Sequence, residues 1–268
     1  MICISIGKPA QKAKRHMYDD VIALRDFYNT PLGQHVTGQM HPHITRFWQA
    51  DTSCLNVMVG YGIGWLPPTV NDHDLPADLL SLMLARSGVM AWPESGPGRC
   101  SLVDSHALPL PDVHVDRLLL AHALEFDAEP GRLLDECWRT LDGAGKLLVV
   151  VPNRRGLWAR FEHTPFGYGR PYSSRQLCVL LETHGFVPKR TYRTACLPPL
   201  QNRAMIRFAA TIERLGQRWW PALGGVLLVE AEKKLYAAAG NTSKLRRRRA
   251  GTAPALATVV NGPREGNM

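Results

Sequence analysis

Leu55-Asn56-Val57-Met58-Val59-Gly60-Tyr61-Gly62-Ile63-Gly64 decides the fold. Residues 55–59 form a short apolar run that reads as a buried strand, and it breaks into three glycines spaced G-x-G-x-G. Glycine has no Cβ, so the chain can turn sharply at the strand end and a ligand can approach the backbone closely. In an open α/β sheet, ligands settle outside the carboxyl ends of the strands, near the point where strand order reverses. A dinucleotide-binding turn would place a glycine at position 65, where this chain has Trp65. That weakens a nicotinamide reading. Three glycines also serve ordinary loop geometry, so their surroundings must carry the assignment.

The surroundings repeat the same texture. Residues 79–84, 100–103, 115–120 and 147–151 are predicted strands. Continuous apolar runs of this length suit parallel strands covered on both faces. Between the fourth and fifth, residues 130–141 align Leu133, Leu134, Cys137, Trp138 and Leu141 on one helical stripe, and Asp142-Gly143-Ala144-Gly145 supplies a turn. This is a strand–helix–strand unit. Ser173 and Gln176 predict a capping box for a helix ending at Gly185, with a strand over 186–194. Residues 202–217 read as an amphipathic helix with Met205, Phe208, Ile212 and Leu215 on one face, and 225–231 as a last strand. Upstream, Val21, Leu24, Arg25 and Tyr28 have helical spacing that Pro31 stops; a weaker helical stretch, interrupted near Pro42, reaches Trp48. The alternation predicts one α/β domain over 17–239, a doubly wound, mostly parallel, Rossmann-like sheet with N-terminal helices.

The charge lies at the ends. Of the net +9, residues 1–16 supply +4 through Lys8, Lys12, Lys14 and Arg15, and residues 240–268 supply +5. The body is therefore close to neutral, which argues against a broad nucleic-acid face; only the tail could make such a contact. Residues 1–16 read as a loose basic extension and 240–268, with no aromatic residue or apolar period, as a disordered tail. The six cysteines are scattered with no C-x-x-C pair, which fits a reducing, cytoplasmic location. No apolar run approaches the roughly 18–20 residues of a membrane span. The N-terminal apolar stretch precedes its charges, the reverse of an export signal. His35, His41 and His43 lack nearby carboxylates, so no metal site is expected. G-x-S-x-G, H-E-x-x-H and P-loop sequences are absent.

Two further blocks sharpen the reading. Asp104-Ser105-His106-Ala107-Leu108-Pro109-Leu110-Pro111-Asp112 precedes the strand Val115-Asp116-Arg117-Leu118-Leu119-Leu120-Ala121-His122-Ala123-Leu124-Glu125. Leu133-Leu134-Asp135-Glu136-Cys137-Trp138-Arg139-Thr140-Leu141-Asp142-Gly143-Ala144-Gly145 follows. This order resembles the class I S-adenosylmethionine-dependent methyltransferases, specifically the small-molecule "type 11" group, over about residues 55–153. The run 153–186 is similar to bacterial members. The resemblance implies S-adenosylmethionine as cofactor and a small-molecule acceptor, and leaves the oligomeric state open. It implies that Gly60, Tyr61, Gly62 and Gly64 skirt the cofactor's amino-acid portion. Asp104 would meet the adenine amine, with Ser105 beside it, and Ala121 and His122 would line the transfer site. Asp116 matches an acid at a strand entrance, away from the chemistry.

Candidate bases are His122, His163, His184 and Tyr172, with His122 best placed after a strand's carboxyl end and Tyr172 in a substrate-facing loop. His184, in the last turn of its helix, is assigned to structure. Two departures stand out. The family places an acid after the second strand to hold the ribose, but this chain reads Leu84-Ala85-Arg86-Ser87-Gly88, and Pro67-Pro68 follows the glycines closely. Weakened cofactor binding is expected, and a competing reading is a scaffold that has lost catalysis and serves as a binding or regulatory partner.

Overall fold

Asp20 opens helix α1 (Val21–Tyr28) by accepting the Ile22 amide on its side chain at 2.9 Å. This satisfies one of the donors a helix start leaves unpaired. Val21, Leu24, Phe27 and Tyr28 are the buried face. Arg25, predicted for that stripe, is exposed and pairs with Asp26, and Phe27 takes the inward position. Pro31 does more than end α1: it opens α2 (Pro31–Trp48), where a missing N–H costs nothing. Pro42 does not interrupt α2. The proline is exposed, as is Gly38 four residues earlier, so the carbonyl that loses its partner can meet water.

The computed structural model describes residues 20–48, 54–65, 79–93, 98–196, 199 and 224–234, all within one compact unit spanning 1–235. The helix expected over 202–217 and both basic ends lie outside the described residues. Seven strands form one sheet: β1 (Asn56–Gly60), β2 (Leu79–Leu84), β3 (Cys100–Val103), β4 (Val115–Ala121), β5 (Leu141–Pro152), β6 (Phe186–Thr194) and β7 (Val226–Lys233). Their order is β3-β2-β1-β4-β5-β7-β6, with β1 to β5 parallel and β7 antiparallel to both neighbours. The order reverses between β1 and β4, so the carboxyl ends of those two strands form the switch point.

The expected turn at 142–145 falls inside β5. Pairing with β4 leaves at Leu141, opposite Val115, and resumes at Lys146, opposite Arg117. The Asp142 carboxylate closes the excursion by accepting the Ala144 amide at 3.1 Å. Helix α3 (Pro130–Thr140) buries Leu133, Leu134 and Cys137. Helix α4 (Ser174–Thr183) carries the predicted capping box in full and ends before Gly185, whose φ of 78° suits glycine.

The sheet separates two apolar layers. Met58, Met83, Leu119, Leu148 and Leu228 face α1 and α2; Val57, Val59, Leu118, Leu120, Val149 and Val229 face α3 and α4. Alternate residues of β1, β2, β4, β5 and β7 thus enter opposite cores, which is why these strands carry apolar runs. No helix among the described residues is long and apolar enough to cross a membrane.

Candidate active site

Gly60 ends β1 at φ +88° and pairs with Ala121 at the end of β4. A Cβ at Gly60 would strike the Ala121 carbonyl, so this glycine is demanded by the contact between strands. The next two glycines meet side chains. A Cβ on Gly62 would meet the Met58 Sδ and, at 3.0 Å, the Ala121 Cβ. One on Gly64 would stand 2.9 Å from the Tyr28 Cδ2 and 3.0 Å from the Tyr61 Cε1. The bare backbone is therefore lined by rings of the same chain, Tyr28 from α1 and Tyr61 from the turn itself. Tyr28 and Tyr61 lie roughly parallel, with centroids 6.1 Å apart. Burial raises both phenols above their ordinary range, for Tyr61 with Arg25 pulling the other way. After Gly62 the chain makes a single 3-10 turn, Ile63–Trp65, which contains Gly64, and Trp65 is fully buried.

His122 follows β4 immediately, with φ +49°. A non-glycine residue held there carries strain of about 1–3 kcal/mol, and such positions cluster at functional sites. The residue is 2 % exposed. Nε2 lies 2.6 Å from the Tyr28 hydroxyl and Nδ1 lies 3.0 Å from the Glu125 Oε1. His122 stands out in the sequence by its place after a strand. Tyr28 does not, since it reads as one more apolar position of α1. Glu125 carries one signal, its place three residues after His122.

Asp104, just past β3, is exposed, and its Oδ1 accepts the His106 amide at 2.8 Å. The carboxylate thus shapes its own turn while its second oxygen can face outward. Ser105 and His106 engage Asp127, whose Oδ1 lies 3.0 Å from the His106 Nε2. Burial pushes the Asp127 carboxyl up, but hydrogen bonds from Ser105, His106 and the Glu129 amide outweigh it and hold the group below its ordinary range.

The loop between β3 and β4 is held from below by Arg139 of α3. Its guanidinium donates to the Leu108 and Leu110 carbonyls, each at 2.9 Å, and to Glu136, whose Oε2 accepts the Leu108 amide. The Glu136-x-x-Arg139 pair of the sequence block is thus a clamp on Leu108 and Leu110 in the loop that follows Asp104 and Ser105. Arg139→Ala is expected to lower stability by about 2–3 kcal/mol, since several charge-assisted bonds go together. Urea denaturation measures it.

The remaining candidates are dispersed. Tyr172 is buried, its backbone bridges Asn153, and its amide donates to the Pro152 carbonyl at 3.0 Å. It anchors the loop after β5. His163 lies in that loop with Nε2 2.8 Å from the Pro199 carbonyl. His184 caps α4 and pairs with Asp135 at 2.6 Å. Asp116 accepts the Leu55 amide at 2.8 Å at the entrance of the strands, a structural duty. At the end of β2, Ala85 is exposed. Arg86 reaches across to the Phe126 carbonyl with its guanidinium 5.3 Å from the Phe126 ring centroid, and the Ser87 carbonyl accepts the Val21 amide of α1 at 2.9 Å. The segment 84–88 brings no carboxylate to this edge.

Strand order, a single antiparallel strand inserted between β5 and β6, and a glycine turn after β1 together define the class I S-adenosylmethionine-dependent methyltransferase fold. One solved structure that resembles it is a chain from the complex of the Haloferax volcanii Trm112 methyltransferase activator with a methyltransferase. Its TM-score is 0.59 at 17% identity, over 82% of this chain and 98% of that one. An S-adenosylmethionine-dependent methyltransferase of Thermotoga maritima gives 0.54 at 15%, over 82% and 99%. The [4+2]-cyclase SpnF gives 0.52 at 18%, over 74% and 80%. No family model and no curated protein matches the sequence. Function on such a fold has to be argued from the site.

Proposed function

We propose that the protein transfers a methyl group from S-adenosylmethionine to a small-molecule acceptor. The observation that carries this reading is the meeting of Gly60 and Gly62 with Ala121, the residue before His122, at the switch point of the sheet. The fit is mixed: bare backbone lies at the switch point, but a Cβ on Gly60, Gly62 or Gly64 would meet Ala121, Met58, Tyr28 or Tyr61 of the same chain, and the end of β2 lacks the acid for the ribose. Gly60, Tyr61, Gly62, Gly64 and Ala121 would hold the amino-acid portion, and Asp104 with Ser105 the adenine. When bound, the cofactor supplies a methyl carbon already activated by a positive sulfur. The chain's own contribution is then alignment and the exclusion of water, which in favourable cases is worth about 7–11 kcal/mol. His122 is the group placed to handle a proton there, and Tyr172 steadies the loop above.

Calorimetry with S-adenosylmethionine and S-adenosylhomocysteine tests the reading, and Asp104→Asn sharpens it. The variant keeps an oxygen for the His106 amide, so the turn survives, but it turns an NH₂ instead of a carboxylate oxygen outward. Affinity is expected to fall about tenfold, the loss of one charge-assisted bond, at unchanged stability. Absence of heat from folded wild-type protein would remove the proposal. A second reading, a scaffold without chemistry, draws on the Tyr28 and Tyr61 rings packed against Gly64, and that same absence of heat would favour it.

A further inference from the structure

We infer that the acceptor is a small-molecule anion, bearing a phosphate or carboxylate group, and that Arg154, Arg155 and Arg170 in the loop between β5 and α4 receive it. This rests on the transferase reading and deepens it by naming the chemical class of the acceptor. The body over 17–239 is close to neutral, yet residues 153–176 hold Arg154, Arg155, Arg160, Arg170 and Arg175 against Glu162 alone, a net +4. All of these arginines are exposed, and none makes an ion pair among the described residues. Several exposed cations elsewhere have carboxylate partners: Arg25 meets Asp26 at 3.0 Å, Arg132 meets Glu129 at 3.4 Å and Lys189 meets Glu232 at 3.1 Å. The positive charge of the folded body is thus gathered on one loop and left without counter-charge there.

The backbone brings this loop to the carboxyl edge of the sheet. The Arg154 amide donates to the Tyr172 carbonyl at 2.9 Å, beside the bridge between Asn153 and Tyr172, so the two ends of the loop lie against each other. The Arg155 amide donates to the Asn153 side chain at 3.2 Å. Arg170, two residues before Tyr172, donates its amide to the Glu125 carbonyl at 2.7 Å, in the turn that follows β4. Gly169 prepares that contact: at φ +77° it passes so close that a Cβ would stand 2.9 Å from the Glu125 carbonyl oxygen and 3.1 Å from the Phe126 ring. From the β2 side, Arg86 donates to the Phe126 carbonyl. Arg86 and Arg170 therefore approach one turn at the switch point from opposite sides. If the cofactor takes the half of the edge over β1 to β3, the half over β4 and β5, beneath this loop, is left to the acceptor.

The acids nearby are engaged elsewhere. Asp127 takes hydrogen bonds from Ser105, His106 and the Glu129 amide, and Glu125 is sealed from solvent beside His122. Burial raises the Tyr172 phenol above its ordinary range, and the Arg170 charge is near enough to oppose the rise. Stability does not ask for this arrangement. Like charges gathered on one loop repel, and Arg175 stands in the first turn of α4, where the helix dipole also opposes a cation. A bound oxyanion relieves that repulsion. The guanidinium fork presents parallel N–H donors that match two oxygens of a phosphate or carboxylate, and charge of one sign at the rim of a site raises the local concentration of the opposite ion. A neutral or cationic acceptor gains nothing from such a loop.

The test uses the full chain, ¹⁵N-labelled at arginine, with the guanidinium Nε–H signals followed during titration with inorganic pyrophosphate and, separately, succinate. Arg154→Gln and Arg170→Gln assign the two signals. In the wild type both are expected to move together and to half-saturate at about tenfold lower anion concentration than Arg46, an exposed arginine in the last turn of α2. Arg170→Gln should weaken the response of Arg154 by about tenfold, the loss of one charge-assisted contact to a shared anion. A merely solvated side chain does not respond to that replacement. Whichever probe binds more tightly names the group. An Arg154 response unchanged in Arg170→Gln, or one no tighter than that of Arg46, overturns the site. Displacement of pyrophosphate from both arginines by a single-stranded RNA oligomer, at a lower phosphate concentration, overturns the small-molecule assignment in favour of a nucleic acid. S-adenosylhomocysteine affinity, measured by calorimetry on the same samples, separates the two claims. Absence of heat removes the transferase reading and the anion's role as acceptor, while the shared response of Arg154 and Arg170 still decides the anion site.

Discussion

Gly60→Ala is expected to destabilise the protein by about 3 kcal/mol or more and to abolish cofactor binding. Two independent obstacles meet at this position. The φ of +88° is outside the range an L-residue adopts readily, and the new Cβ would run into the Ala121 carbonyl of the paired strand. Because the obstacle is backbone, no side chain can rotate away to relieve it. The carboxyl ends of β1 and β4 would have to part, and His122 hangs directly on the end of β4. Gly62→Ala supplies the contrast. There the nearest atom is the Met58 Sδ, the far end of a flexible side chain, so a loss of about 1.5 kcal/mol or less is expected. Urea denaturation of the two variants separates the cases, and equal stabilities would refute the assignment of Gly60 to the strand contact.

That contrast also shows what the sequence disclosed. The strands β2, β3 and β6 have the bounds predicted for them; for β2 the reason is that a parallel strand inside the sheet leaves an apolar run between turn residues, whereas β3 and β6 are partly exposed edge strands and β6 is antiparallel. The capping box at Ser173 and Gln176 was legible for the same local reason: both partners lie within one helical turn. The Pro42 interruption was misread because a proline's effect depends on whether the carbonyl behind it meets water, and sequence does not reveal exposure. In the site, the glycines and His122 announced themselves by their positions at strand ends. The partnership of Tyr28 with His122 did not, since it is made by docking α1 across the sheet, and the contact of the Tyr28 ring with Gly64 has the same origin. Only the i, i+3 relation of His122 and Glu125 could have been found beforehand.

Supplying the acid that β2 lacks is expected to tighten S-adenosylmethionine binding by about ten- to a hundredfold, the worth of a charge-assisted contact of about 1.5–3 kcal/mol. Ala85 is the position: it is the first residue past β2, its side chain is exposed, and its amide donates to the Val103 carbonyl at 2.8 Å, so the backbone there is held in register with β3. Its neighbour complicates the outcome. Arg86 crosses toward Phe126 at the same edge, and its guanidinium would compete for the carboxylate that Ala85→Asp introduces. The single variant should therefore fall at the lower end of the range and Ala85→Asp with Arg86→Ala at the upper end. Calorimetry on both, with Ala85→Asn as a neutral control of the same shape, isolates the charge. If the asparagine and aspartate variants bind alike, the ribose does not lie at the end of β2, and the cofactor pose inferred from the glycine turn fails with it.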